Sequence, residues 1–251
     1  MPLGAAIWSA NPTTFTQFPA DTFMRFCDNH GLLTYRNRPA WRTVTGGAAN
    51  YVRALSAPIA DKIHRSSPVS SISRGDNCAR LAVGGATLDF DHVIIACHSD
   101  QALAMLSDPS DLETASLRAI RYQPNTATLH TDRSLLPQSN RAQASWNYHV
   151  RGPNAFEAVL TYNMNRLQNI QSQTPILVTL NGRDLIASET VIAEFTYEHP
   201  IFDAAAVVAQ GRHRDICTSL TSFCGAYWGY GFHEDGAVSG LRVAQWLGAQ
   251  W

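Results

Sequence analysis

The stretch FCGAYWGYGFHEDGAVSGLRVAQWLG, Phe223 to Gly248, constrains the fold more than any other part of the chain. Gly225, Gly229, Gly231 and Gly236 free the backbone for tight turns and close approach, and a helical pattern follows them. Ala237, Leu241, Ala244 and Gly248 recur at spacings of four, three and four, a face of small residues on which a helix can lie close to a neighbour. The N-terminus of such a helix offers free N–H groups and a partial positive charge, suited to phosphate or another electron-rich acceptor. Gly236, with no side chain, lets a ligand approach that end. The same glycines also serve as a structural turn that packs a C-terminal helix, and on the glycine cluster alone that plainer reading is preferred, with the binding reading left open.

Composition narrows the function classes. A chain of 251 residues, 45% hydrophobic and 16% charged, can bury the core of one large domain or two small ones. The net charge of −1 supplies no field for nucleic acid or anionic lipid. Aromatic residues and arginines are not interleaved on a basic element, which argues against single-strand binding. Five scattered cysteines without a C-x-x-C point to reduced thiols and a cytoplasmic protein. No run of 18 apolar residues provides a transmembrane segment, and MPLGAAIWSANPTTF lacks the basic start of a signal peptide.

Along the chain, residues 15–33 predict a helix capped by Asp21 and stopped at Gly31. The Gly46-Gly47 pair leads into a second helix with Tyr51, Val52 and Leu55 on one face and Pro58 after its end. PVSSISRG, ARLAVGG and ATLDFDHVIIAC predict a meander of short strands, with HVIIAC covered on both faces. Helices follow over HSDQALAMLSDP, with Ser99 or Asp100 near the cap, and over SDLETASLRAI. Residues 122–197 are strand-rich, IFDAAAVVAQG predicts a helix stopped by Gly211, and the C-terminal helix closes the chain. The fold class is α+β or mixed α/β.

Several chemistries fail on spacing. No G-x-S-x-G is present, and Ser239 falls inside the expected helix, so a hydrolase elbow is excluded. Cys97 and His98 are adjacent and would project to opposite faces of a strand. The histidines form no H-x-x-x-H and no Cys/His cluster, so no metal is expected.

The C-terminal stretch resembles the FAD-contacting segment of the flavin-containing amine oxidase superfamily. The resemblance assigns Gly225 and Ala226 to the strand end that reaches the pyrophosphate. It assigns Asp235, Gly236, Ala237 and Val238 to the segment that starts a helix pointing at the flavin. WRTVTGGAANYVRAL is similar to the family's internal Gly-Gly segment, which places Gly46 and Gly47 near the cofactor. PVSSISRG resembles the strand that meets the adenine at Val69, and FDHVIIACHSDQAL the strand returning to the dinucleotide at Ala96 and Cys97. ASWNY, TYNMNRLQ, VTLN and YEHPIFD resemble a bacterial subgroup associated with cyclopropane-fatty-acid synthases. Tyr227, Trp228, Tyr230, Phe232 and His233 then lie nearest a flavin or its substrate, or else form an aromatic lid over the last helix. Asp235 is expected to accept hydrogen bonds from the cofactor.

The family's opening strand, G-x-G-x-x-G and helix have no match in these residues. The chain therefore reads as a C-terminal portion: a partial, incomplete GR2-type Rossmann-like FAD-binding domain plus a substrate domain with a mainly antiparallel sheet and flanking helices. The expected division is 1–40 substrate-domain helices, 41–106 FAD-domain portion, 107–212 substrate domain and 213–251 C-terminal FAD-contacting strand and helix. The resemblance implies hydride transfer from a C–H bond of an amine or unsaturated lipid to FAD. Binding by the chain alone is expected to be weak or absent, and the partners implied are a small-molecule or lipid substrate and a separate chain as a source of the Rossmann segment. Many amine oxidases carry a lysine near flavin N5. The one lysine here, Lys62, falls on the region resembling the adenine side, which leaves desaturation or isomerisation equally open. The alternative from another class is a non-catalytic remnant or interaction module that no longer binds FAD.

Overall fold

The computed structural model describes residues 2–36, 40, 42–150 and 159–250. The chain divides into two compact units, Met1–Ile63 with Gln123–His199 and His64–Tyr122 with Pro200–Trp251. Helices and mainly antiparallel sheets give the mixed α and β class expected from sequence.

The first unit is built on a five-stranded sheet in the order Trp146–His149, Val159–Asn163, Leu177–Leu180, Arg121–His130, Val191–Ile201. Its β-branched runs make these strands, and Thr128, Thr161 and Thr179 line up across three neighbours in register. All three are fully buried, as is His130. Buried polar groups need partners; His130, Thr179 and Thr161 find them in one another, while Thr128 Oγ1 has no hydrogen-bond partner among the described residues. The Asp132 N–H donates to His130 Nδ1 at 3.1 Å, so Nε2 carries the ring proton and donates to Thr179 Oγ1 at 2.8 Å. Thr179 Oγ1 and Thr161 Oγ1 share a hydrogen bond at 2.8 Å, and Thr161 Oγ1 shares one with His149 Nε2 at 2.9 Å.

The N-terminal helices of this unit form an aromatic nest in which Trp8 packs on Phe15, Phe18 and Phe26. The helix expected between an Asp21 cap and Gly31 forms as Ala20–Asn29, with Pro19 at its N-cap. Asp21 sits in the first turn rather than at the cap, because proline presets the entry and the carboxylate gains from the helix dipole one position inside. Ala49–Ser56 is helical as expected and runs into a 3-10 turn, Ala57–Lys62, across Pro58. Its apolar face is not buried: Val52 and Leu55 are 53% and 72% exposed.

The second unit holds a three-stranded antiparallel meander, Val69–Arg74, Ala79–Val83 and Ala86–Phe90. Gly84 and Gly85 turn its second hairpin with φ of +58° and +85°, the paired left-handed geometry that glycine tolerates. The chain then leaves this sheet, and Val93–Ile95 pairs in parallel with Thr221–Phe223. Helices Ser99–Met105, Asp111–Ala119 and Ala204–Gln210 contribute to the apolar core with Ile72, Ile95, Leu117, Ile216 and Phe223. Asp111–Ala119 is capped by Ser110, whose Oγ accepts the Glu113 N–H while Glu113 accepts the Ser110 N–H at 2.7 Å. Arg74 reaches Glu113, Asp108 and Thr221 Oγ1. Burial alone pushes the Glu113 carboxyl up, but the Arg74 and Ser110 hydrogen bonds more than offset it and hold the group below its ordinary value.

HVIIAC is covered on one face only. Ile95 is 3% exposed and Ile94 is 45% exposed, because alternation turns Ile94 away from the core. Gly211 ends its helix with φ −64°, so that stop does not need a left-handed residue.

Candidate functional site

In the second unit the C-terminal ends of the two parallel strands lie side by side. The Cys224 N–H donates to Ile95 O at 3.0 Å, which sets Ala96 and Cys97 beside Cys224 and Gly225. In open parallel sheets this end of the strands is where ligands bind.

The helix His233–Trp246 is tied to the same place through one hydroxyl. Ser239 Oγ accepts the Gly225 N–H at 2.8 Å and donates to Gly236 O at 2.9 Å. Gly225 and Gly236, 11 positions apart, are thereby one bonded assembly. A methyl group at Gly236 would meet Ala226 at an ordinary 3.8 Å, so internal packing does not require glycine there. Gly225 differs, since a Cβ would lie 2.4 Å from the Tyr227 ring. Its bareness is accounted for by Tyr227.

The helix begins at His233, earlier than the pattern predicts. Gly236 N–H already donates to Phe232 O at 3.1 Å, so the N–H groups that precede the first intrahelical bond are those of His233, Glu234 and Asp235. Asp235 Oδ2 accepts the Phe232 N–H at 2.9 Å, and its Oδ1 lies where a Cβ on Gly229 would sit. The carboxylate thus closes the helix start. The buried face runs through Ser239 and Val243, and Ala237 and Gly248 are exposed. The expected face of Ala237, Leu241, Ala244 and Gly248 is rotated, because alanine and glycine carry too little apolar signal to set it against a bonded serine.

The other expected site residues fall as follows. Val69 opens the meander and packs partly on the core, as does Cys97, while Ala96 and Val238 are exposed. Tyr227 and Trp228 are core residues, 4% and 6% exposed. Trp228 stacks on His213 at 4.3 Å, and Gln210 Nε2 donates to Tyr227 O at 2.9 Å. Tyr230 and Phe232 are half-buried and His233 is exposed. Gly46 and Gly47 belong to the first unit, where both take φ near +80° in a turn closed by the Gly47 N–H on Val44 O at 3.0 Å.

Burial raises the Cys97, Cys217 and Cys224 thiols, so these groups are neutral at pH 7. The Tyr122 hydroxyl, which accepts the Ser99 N–H at 2.9 Å, is pushed up to about 12 by burial. The local chemistry is therefore uncharged backbone and thiol, fit to position a bound group rather than to attack one. Among the described residues no group of three or more His, Cys, Asp or Glu could hold a metal ion, and no helix is long and apolar enough to cross a membrane. Ser239 and Gln210 are the members that sequence reasoning missed. Ser239 stands three residues after a glycine carbonyl in a first turn, which was a usable signal; Gln210 had none.

This fold of an antiparallel-sheet unit and a unit carrying a parallel pair has known relatives. The chain belongs to the flavin containing amine oxidoreductase family, whose profile matches residues 4–185. It is similar in structure to a protein described as a protoporphyrinogen oxidase from Exiguobacterium sp. 255-15, with 14% identity and a TM-score of 0.62, over 98% of this chain and 62% of that one. Cyclohexylamine oxidase from Brevibacterium oxydans IH-35A matches at 13% identity and a TM-score of 0.62, over 99% of this chain and 64% of that one. A CLA-producing fatty acid isomerase from P. acnes matches at 13% identity and a TM-score of 0.59, over 81% of this chain and 52% of that one. The chain thus spans about half to two thirds of the length of these structures. No curated protein matches it in sequence.

Proposed function

We propose that the chain is the C-terminal part of an FAD-dependent oxidoreductase that removes hydride from a C–H bond of an amine or an unsaturated lipid. The observation that carries this reading is the Gly225–Ser239–Gly236 linkage at the C-terminal ends of the parallel pair. It holds bare backbone at a place where strand ends and a helix start converge. Glycine at 236 is not demanded by the protein's own packing, which fits a site kept clear for a bound group. FAD supplies the electron-accepting ring. In this reading the chain's own residues bind and orient it: Gly225, Ala226 and Gly236 through backbone, Ala96 and Cys97 at the neighbouring strand end, and Ala237 and Val238 on the exposed first turns. Val69 belongs to the same proposal as a further backbone contact, and the Gly46-Gly47 turn is proposed separately as a cofactor contact within the first unit. Tyr230, Phe232 and His233 are the proposed substrate-side groups, with Tyr227 and Trp228 behind them. The Rossmann segment comes from outside these 251 residues, and unpaired cysteines support a cytoplasmic setting.

The test is flavin titration followed by fluorescence, on the chain alone and after joining it to a G-x-G-x-x-G unit. The isolated chain should bind FAD weakly or not at all, and the joined protein should bind it. Gly236→Ala should leave the denaturation midpoint unchanged or slightly raised, by up to about 1 kcal/mol of helix propensity, and should weaken flavin binding. A purified chain that is yellow with stoichiometric FAD would overturn the expected dependence on a further segment. The competing reading, an interaction module without cofactor, is favoured by Gly225 and Gly229 being accounted for by Tyr227 and Asp235. It gains if Gly236→Ala changes nothing.

A further inference from the structure

The stretch TYNMNRLQ has no part in the proposed cofactor contacts. It turns from the strand Val159–Asn163 into the short helix Met164–Leu167 and sets Asn163, Asn165 and Arg166 around a pocket of about 160 Å³. Arg133, Leu136 and Gln143 also line it, and all six residues belong to the first unit.

The walls are held by their own hydrogen bonds. Asn165 Oδ1 accepts the Ile176 N–H at 2.7 Å and its Nδ2 donates to Thr174 O at 3.1 Å, while Gln143 Nε2 donates to Pro137 O at 3.0 Å. The two cations are not matched in this way. The Arg133 guanidinium has no hydrogen-bond or ion-pair partner among the described residues, and Arg166 uses only Nη2, on Asn140 O at 3.3 Å. Asp132, next to Arg133 in the chain, is committed to the Ser134 and Ala187 N–H groups, both at 2.9 Å. No Asp or Glu among the described residues lines the pocket.

Asn163 adds a buried donor. It is 5% exposed, and its Oδ1 accepts the Arg166 N–H at 3.2 Å, which fixes the orientation of the amide. Nδ2 is left without a partner among the described residues, in a side chain that lines the pocket. A buried amide with spare donors marks a place for an acceptor from outside the chain.

We infer that this pocket binds a phosphoryl group, either free or esterified to a small alcohol or a lipid. Two guanidinium forks and an amide bring donors from three side chains, which suits a tetrahedral anion with three oxygens; a planar carboxylate is satisfied by one fork. The pocket is smaller than the roughly 300–1,000 Å³ of sites that enclose drug-sized ligands, so the phosphoryl group enters and the rest of an ester stays outside. The inference is independent of flavin binding.

Titration of the full chain with inorganic phosphate at constant ionic strength tests it, read from the arginine Nε–H and asparagine side-chain NMR signals. Those of Arg133, Arg166 and Asn163 should shift together and saturate. Arg133→Gln and Asn163→Asp should each weaken binding at least about 10-fold. Asn163→Asp keeps the acceptor for the Arg166 N–H and replaces the amide donor with a carboxylate that repels the anion; if it fails to fold, the exposed Arg133 carries the test. Arg25→Gln, which removes the same charge from the helix Ala20–Asn29, should leave the affinity within about twofold. Shifts that do not saturate, an equal loss in Arg25→Gln, or equal affinity for acetate overturn the proposal. Glycerol 3-phosphate and phosphatidylcholine vesicles with and without phosphatidic acid then separate the sources. Competition by the soluble ester assigns a small phosphate ester, competition only by the vesicles with phosphatidic acid assigns a lipid headgroup, and competition by neither assigns free phosphate.

Discussion

The two units stabilise their sheets in opposite ways. The five-stranded sheet of the first unit buries hydroxyls and imidazoles on one face, and a single file of hydrogen bonds runs from Asp132 to His149 through His130, Thr179 and Thr161, leaving out Thr128 Oγ1. The parallel pair of the second unit buries Ile95 and Phe223 in an apolar core, anchors that core with the Arg74–Glu113 pair, and leaves the Ile94 edge unsatisfied. Among the described residues the first sheet leaves one buried hydroxyl, Thr128 Oγ1, without a partner, while the second leaves the outer side of Val93–Ile95 unpaired. A polar interior demands an exact set of internal partners, whereas an apolar one can stay open at an edge until something covers it.

The largest break in this contrast should come from Glu113→Ala. It strips the acceptor from a guanidinium that is itself mostly buried, and is expected to destabilise the second unit by about 3–5 kcal/mol. A denaturant titration in which loss of the second unit precedes that of the first would show it. A drop below about 1 kcal/mol would mean that Asp108 alone satisfies Arg74. Thr179→Val should act on the other side of the comparison. It leaves the His130 Nε2–H without an acceptor and Thr161 without one of its two hydroxyl partners, at a cost of about 1–3 kcal/mol confined to the first unit. Equal protection of both units in hydrogen exchange would contradict that.

Acid should separate the units more gently. Burial lowers the pKa of His130, against the opposing pull of Asp132, and burial lowers that of His149. Both folded values lie under the unfolded one, about 6.5. The stability they confer is full above that pH and is lost as pH falls through 6.5 towards the folded values, because the unfolded chain takes up protons first. The second unit has one such histidine, His213, also lowered chiefly by burial. The first unit should therefore lose more stability between pH 7 and 5, as read from histidine ring signals and denaturant midpoints. A steeper loss in the second unit would count against the hydrogen-bond file as the acid-sensitive element.

Much of the fold was legible because β-branched runs and turn glycines state it locally. The meander with its Gly84-Gly85 hairpin and the strands around Thr128, Thr161 and Thr179 are of this kind. The C-terminal helix was legible in kind but not in phase. Its Ala and Gly positions look alike to a periodicity argument, and the decision between faces is made by Ser239, whose partners Gly225 and Gly236 are brought to it only by folding. HVIIAC shows a different limit. A compact apolar run says that a strand prefers cover on both faces, and it cannot say whether this chain itself provides it. The closeness of Gly225 to Gly236 was anticipated from the motif, whereas the Asp235 cap and the Tyr227 ring against Gly225 depend on backbone turns that spacing does not encode.

Arg74 ties together groups 34, 39 and 147 positions away along the chain, at Asp108, Glu113 and Thr221. During synthesis the first two partners leave the ribosome soon after the arginine, but Thr221 emerges only after the whole stretch from Gln123 to His199 has been made. The core built around Ile95 and Phe223 must therefore wait half-assembled through that interval. A stalled or prematurely ended translation product would hold the meander and its two helices with no strand to close them, a form that quality-control proteases should clear quickly.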